Sequence, residues 1–194
     1  RTGNQRMLMI GLGNIGNAFN NMQQHEAALE YLRQAESMAR EIGDRHAIAM
    51  NVGSRGNVLF QQGRYEEALE CFTQAEQAQR QLGARQGVFV NLSNRGSTLA
   101  AMRRDDEAIK VLREALDSLD AAGFRWPVNE LFLHDDLAGA WARVGDHDSA
   151  AQVASQGLER ALAAGLDQKA ETDIARALAS VRRLAARDFQ PPKE

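Results

Sequence analysis

Proline is scarce. The 194 residues hold three, Pro127, Pro191 and Pro192, and none precedes Pro127. A proline inside a helix removes a hydrogen bond and clashes with the preceding turn, so this scarcity leaves most of the chain open to long uninterrupted helices. Cysteine is reduced to Cys71, which excludes an internal disulfide and leaves no second thiol for a metal site. A reducing compartment and a cytoplasmic location are the simplest expectation. There is no run of eighteen apolar residues and hence no transmembrane helix, and no signal peptide is visible. A basic excess is missing too: 26 acids against 23 bases leave a net charge of −3, which argues against direct nucleic-acid binding by bulk charge. What is present, 44% hydrophobic and 25% charged residues, suits a folded chain with a real core.

One stretch suggests a nucleotide site. "LMIGLGNIG" at 8–16 contains Gly11-x-Gly13-x-x-Gly16, with Glu36 about twenty residues on, in the manner of a dinucleotide-binding turn. Internal repetition gives these glycines another origin. Gly3, Gly43, Gly83 and Gly123 are each forty residues apart. The same spacing relates Gly16, Gly56 and Gly96, then Ala28, Ala68 and Ala108, then Ala35, Ala75 and Ala115. A fourth copy follows after a two-residue insertion within "GFRWPVNELFLHDDLA", with Ala138, Ala150, Gly157 and Gly165 in register. Gly16 thus belongs to a column. Gly11 does not, since Asn51 and Asn91 stand in its place. Glu36 lies inside a helical pattern rather than after a strand, so the dinucleotide context is missing.

Each copy reads as two helices. The first carries Leu12-Gly16-Phe19, Val52-Gly56-Leu59 or Leu92-Gly96-Leu99, an i, i+4, i+7 spacing that places all three residues on one face. The second repeats the pattern as Ala28-Leu32-Ala35, Ala68-Phe72-Ala75 and Ala108-Leu112-Ala115. Small residues let two helices approach while the large one fills the space between them. Glycine closes each second helix, where a left-handed cap belongs. Asp44 and Asp167 follow, placed to start the next helix. Asp105, Asp106 and Glu107 complement a helix N-terminus.

These columns resemble tetratricopeptide (TPR) repeats, with Gly16, Gly56, Gly96 and Ala138 as the small residue and Phe19, Leu59, Leu99 and Trp141 three positions later. The forty-residue period is similar to the longer class found in kinesin light chains, Pins-type adaptors and bacterial signalling proteins. The resemblance implies an all-α fold, a right-handed TPR superhelix of antiparallel helix pairs (an α-α solenoid). The expected organisation is one solenoid domain over 1–187, with repeats at about 4–43, 44–83, 84–123 and 124–165 and a lone C-terminal helix at about 167–187. A disordered tail, 188–194, would follow. The whole amounts to about three and a half repeats, or seven helices of roughly eighteen residues and 27 Å each. In the fourth copy Ala154 replaces the large apolar residue and His134 stands in the column of Leu12, Val52 and Leu92, so looser packing is expected there. "RTGNQR" aligns with "EIGDRH" and "QLGARQ", which reads as the end of a missing second helix and hence as a piece of a longer protein. Its exposed first helix would invite self-association.

In the family, first helices line a concave groove. Opposite the core stripe lie Asn14, Asn17 and Asn21; then Ser54, Asn57 and Gln61; then Asn94, Ser97 and Ala101; then Asp136, Gly139 and Arg143. Ile10, Met50, Val90 and Phe132 are interspersed. Asparagine is a poor helix former, so its recurrence in mid-helix asks for a reason. Amides both donate to and accept from a peptide backbone, and the apolar spots between them suit its side chains. Simple solubilisation of an exposed helix is the alternative. Arg55 and Arg95 stand where this family usually has leucine. They read either as cations at the groove edge for a carboxylate, or as stems packed between repeats with snorkelling heads. The expected peptide-binding set is therefore Asn14, Asn17, Asn21, Met50, Ser54, Arg55, Asn57, Gln61, Asn94, Arg95, Ser97 and Asp136.

Catalysis finds no support. His134-Asp135-Asp136 suggests a metal, but adjacent helical residues point in different directions. Cys71 reads as a packed small residue, and Trp126-Pro127 as the plug of the longer inter-repeat turn. No catalytic residue, metal or cofactor is expected. The expected function is a non-catalytic scaffold holding a protein or peptide segment, with no direct nucleic-acid or membrane contact. The alternative is a ligand- or peptide-sensing domain of a larger bacterial signalling or transcription-regulating protein.

Overall fold

A computed structural model describes residues 2–123, 125–168 and 172–186, and among them there is no strand. The α-helices are α1 (Thr2–Asn21), α2 (His25–Ile42), α3 (Arg45–Gln61), α4 (Tyr65–Gln81), α5 (Arg85–Ala101), α6 (Asp105–Ala122), α7 (Pro127–Arg143), α8 (His147–Ala163) and α9 (Thr172–Ala185). These nine among the described residues exceed the expected seven, because every forty-residue copy, the fourth included, supplies a full pair. Leu166–Gln168 forms a short 3₁₀ turn that includes Asp167, and α9 is described over Thr172–Ala185. The expected tail, 188–194, lies outside the described residues. The chain divides into two compact units, Arg1–Thr98 and Leu99–Glu194, with the division inside α5.

Caps set the helix boundaries. Gly43 ends α2 in the left-handed conformation at φ 77°, and its N–H reaches the carbonyls of Ala39 and Arg40. Asp44 opens α3 by accepting the Ala47 N–H at 3.0 Å, and Asp146 opens α8 by accepting that of Ser149 at 2.9 Å. Pro127 stands at the start of α7, and the Glu130 carboxylate reaches back to accept the Trp126 N–H at 3.1 Å. The turns inside the hairpins share a left-handed position. Glycine fills it at Gly63 and Gly145, but Gln23 and Arg103 hold it at φ 59°, a conformation that costs a side-chain-bearing residue roughly 1–2 kcal/mol.

In the first unit, the core joins Ala28, Leu32, Val52, Leu59, Phe72 and Ala75. A Cβ on Gly16 would stand 2.7 Å from Leu32 Cγ, and one on Gly56 would stand 2.6 Å from Phe72 Cε1. Gly11, Gly13 and Gly16 all lie inside α1. No strand-to-helix turn exists there, and the glycine column serves helix contact.

In the second unit, α7, α8 and α9 enclose a core that includes Leu131, Ala138, Ala154, Ile174, Leu178 and Val181. At His134 the fourth copy is closely packed. His134 is 1% exposed, and a Cβ on Gly157 would lie 2.5 Å from its own Cβ. Where earlier second helices carry Ala35, Ala75 and Ala115, Gly157 opens further space, and the imidazole fills it.

Candidate functional site

Three rows of polar side chains in the first unit come from α1, α3 and α5. Asn14, Asn17 and Asn21 are exposed on α1. Ser54 and Asn57 are half-buried on α3 and Gln61 is exposed, while Asn94 and Ser97 are half-buried on α5. The expected ladder is bridged between successive first helices, since Asn94 Nδ2 donates to Asn57 Oδ1 at 2.9 Å. That bond fixes the rotamers of both amides, and each keeps unused hydrogen-bonding capacity. At one end of the rows, Asn21 and Gln61 share a polar depression of about 540 Å³ with Asn20, Gln23 and His25. His25 Nδ1 lies 3.2 Å from Asn20 Oδ1 there, and the strained backbone of Gln23 forms part of the wall. Met50 (57% exposed) and Ile10 (52%) supply the apolar spots. Asp136 is half-buried on α7 of the second unit, and in that unit Arg143 is tied to Asp105 at 2.7 Å.

Arg55 and Arg95 lie between consecutive repeats, with their guanidinium groups on buried carboxylates. Glu36, on α2, is buried and held between two arginines: Arg40 at 2.6 Å from its own helix and Arg55 at 2.5 Å from α3. Glu76 repeats the arrangement on α4, with Arg80 at 2.8 Å and Arg95 of α5 as its partners. Both groove candidates are therefore bound up in ion triads between consecutive repeats. Burial pushes the Glu36 carboxyl up, but the hydrogen bonds and charges of Arg40 and Arg55 outweigh it and hold the carboxyl below its usual range. Arg55 Nη2 also lies 3.9 Å from Cys71 Sγ, and burial raises that thiol above its ordinary value. The signal was in the sequence: Glu36/Glu76 and Arg40/Arg80 are columns forty residues apart, as Arg55/Arg95 are.

Asn51 and Asn91 were also missed. Each donates from Nδ2 to the carbonyl one turn back, to Ala47 at 2.9 Å and to Gly87 at 2.8 Å. Each also lies against a glycine of the preceding first helix. A Cβ on Gly13 would meet Asn51 Oδ1 at 3.0 Å, and one on Gly53 would meet Asn91 Oδ1 at 2.9 Å. The pairs set how closely the first helices approach, and with it the spacing of the amide rows.

His134 is not arranged as a ligand. Its Nδ1 is 2.7 Å from the Glu130 carbonyl, and burial holds its pKa below the usual value. Among the described residues no group of three His, Cys, Asp or Glu side chains is placed to hold a metal. No described helix is long and apolar enough to cross a membrane.

Comparison with known proteins agrees with this architecture. Two family models, each described as tetratricopeptide repeat, match residues 45–121 and 11–42, together more than half of the chain. No curated protein matches the sequence significantly. Among solved structures, aspartyl phosphate phosphatase F from Bacillus subtilis is similar at TM-score 0.82 and 14% identity, over 92% of this chain and 45% of that one. A signal transduction ATPase with a tetratricopeptide-repeat sensor, from Pyrococcus horikoshii, is similar at TM-score 0.72 and 16% identity, over 94% and 26%. The quorum sensor NprR from B. thuringiensis, in its apo form, is similar at TM-score 0.70 and 17% identity, over 93% and 49%. The chain spans less than half the length of each of these proteins, and at these identities the likeness is one of fold.

Proposed function

We propose, because the chain belongs to the tetratricopeptide-repeat family, that it is a non-catalytic interaction module that holds an extended partner segment along the first helices. The observation that carries this reading is the pair of bridged amides. Asn57 and Asn94 are polar, mid-helix and joined across two repeats at 2.9 Å. Mid-helix asparagine costs helix propensity and solubility alone does not require it, whereas fixed amides at a regular spacing suit a peptide backbone. Asn14, Asn17, Asn21, Ser54, Gln61 and Ser97 extend the rows, Met50 offers an apolar contact, and Asp136 supplies an acidic one in the second unit. The residues brought together form no convergent set of nucleophile, base and oxyanion donors, which favours binding over catalysis. Self-association belongs to the same reading, since α1 leaves Met7, Leu8 and Ile15 exposed.

The second reading is a sensor domain within a larger signalling protein. It is favoured by two of the similar structures, which are a quorum sensor and an ATPase with a repeat sensor. In the first reading the ligand is a protein or peptide; in the second it is a peptide or a small ligand.

The test is capture of the partner from the source cell with crosslinking, followed by titration against the variant Asn57→Ala/Asn94→Ala. Binding should weaken about tenfold or more. Loss of one hydrogen bond of about 1 kcal/mol should lower the melting temperature by only about 2–4 °C. Undiminished affinity in the double variant would show the amide rows to be decoration.

A further inference from the structure

The interface between successive repeats changes character along the chain. At the first junction Glu36 and Arg55 form an ion pair, with the guanidinium lying toward Cys71. At the second, Glu76 and Arg95 do the same. The residues in the same columns at the third junction are Leu116, Leu137 and Val153. Both charges are gone, and these residues line a cleft of about 260 Å³, bounded by Leu116, Leu137, Val153 and Trp141 on one side and by the polar Ser149, Gln152 and Gln156 on another, with Arg113 and Asp117 beside them. Leu137 is fully buried and Leu116, Val153 and Trp141 are half-buried, so the floor is apolar. Arg113 and Asp117 are exposed and stand at i, i+4 on α6, roughly 5–6 Å apart at Cβ.

We propose that this cleft binds a single α-amino acid with an apolar side chain, in its zwitterionic form. The side chain lies on Leu116, Leu137, Val153 and Trp141; the α-carboxylate meets the Arg113 guanidinium, and the α-ammonium meets the Asp117 carboxylate. The volume falls below the range of roughly 300–1,000 Å³ typical of drug-sized ligands, which suits a small metabolite. Opposite charges side by side at a cleft with one apolar wall complement both ends of a zwitterion and leave its side chain directed toward that wall. A net anion or cation would satisfy one of the two residues and be repelled by the other. The cleft shares no residue with the amide rows, so partner binding and amino-acid binding succeed or fail separately.

The experiment is isothermal titration calorimetry of the 194-residue chain with L-leucine and L-phenylalanine at up to millimolar concentration, alongside glycine, N-acetyl-L-leucine and L-leucinamide. Melting curves would be recorded in parallel, since a bound ligand raises the transition. Saturable binding of L-leucine or L-phenylalanine is expected, with glycine and both capped leucines weaker. Arg113→Ala and Asp117→Ala, both at exposed positions, should each weaken binding about tenfold or more. Leu116→Glu/Leu137→Arg should rebuild the ion pair of the earlier junctions, fill the cleft and abolish binding without loss of helicity. No heat and no rise in melting temperature with either amino acid would overturn the proposal. So would glycine binding as well as leucine, or affinity unaffected by Arg113→Ala and Asp117→Ala. Leucinamide or N-acetyl-L-leucine binding as tightly as L-leucine would overturn the zwitterion in favour of a peptide terminus.

Discussion

Glu36 and Arg55 offer a sharp test of how the repeats are joined. The Glu36 side chain is 10% exposed and is held by Arg40 at 2.6 Å and Arg55 at 2.5 Å, with Arg55 itself 28% exposed. Replacing Arg55 by leucine removes one charged hydrogen bond, worth roughly 1.5–3 kcal/mol, but leaves Arg40 on the other carboxylate oxygen. The expected loss is about 2 kcal/mol. Replacing Glu36 by leucine leaves Arg40 free to turn to water, since it is 62% exposed, and strands mainly Arg55; that loss should be about 1–2 kcal/mol. The pair Glu36→Leu/Arg55→Leu behaves differently, because a well-packed apolar pair commonly matches a buried ion pair in stability. Leucine already stands in both columns at the third junction, as Leu116 and Leu137. The double variant should therefore lie within about 1 kcal/mol of the parent, giving a coupling of about 2 kcal/mol in a double-mutant cycle. Circular dichroism melts would show Arg55→Leu falling by about 4–8 °C and the double variant recovering most of it. The Glu36 carboxyl lies below its ordinary value, so its contribution is present above the unfolded pKa of about 4.3 and is lost as pH falls through the folded one. Variants without Glu36 should accordingly lose less stability on acidification below about pH 4.5. A double variant as unstable as the sum of the single ones would refute the idea that charged and apolar junctions are interchangeable.

Two further expectations concern single side chains. Phe72 is 1% exposed and fills the space left by Gly56, so Phe72→Ala should cost about 3–5 kcal/mol in urea unfolding, and a loss below about 1 kcal/mol would mean that the ring is not the repeat's core. Asp135 is raised to about 6 by burial, only partly offset by its hydrogen bond from Ser180 of α9; Asp136 raises it further, while Arg183 and Arg143 lower it. A folded pKa above the unfolded one favours the fold at low pH, and that advantage is lost as pH rises from about 4 to about 6. Asp135→Asn should remove this slope and stabilise the protein by about 1–2 kcal/mol at pH 7, and an unchanged pH profile would count against a buried Asp135 carboxyl.

Much of the fold was legible because its cause is local and repeated. The glycine and alanine columns, the apolar stripes and the capping residues recur every forty residues, and each acts within one hairpin or its turn. Asp44 caps α3 as its position suggests. The helix count was less legible, and so was the short 3₁₀ turn that holds Asp167. The polar rows were visible as columns, but the bond between Asn57 and Asn94 was not, because it joins residues from different columns of two helices. Arg55 and Arg95 show the same boundary: the repeat marks them and Glu36 and Glu76 as columns, but not that the two columns pair across nineteen residues and one helix.

The sequence by itself determined the repeated helical hairpin and its family, because periodicity is a one-dimensional property and these helices pack mainly against their neighbours in the chain. Only the tertiary structure decided what each polar column does. Whether an arginine faces solvent, a partner or a buried carboxylate depends on which helix is laid beside it and at what distance. At the third junction the same dependence turns two leucines from ordinary core residues into the floor of a cleft.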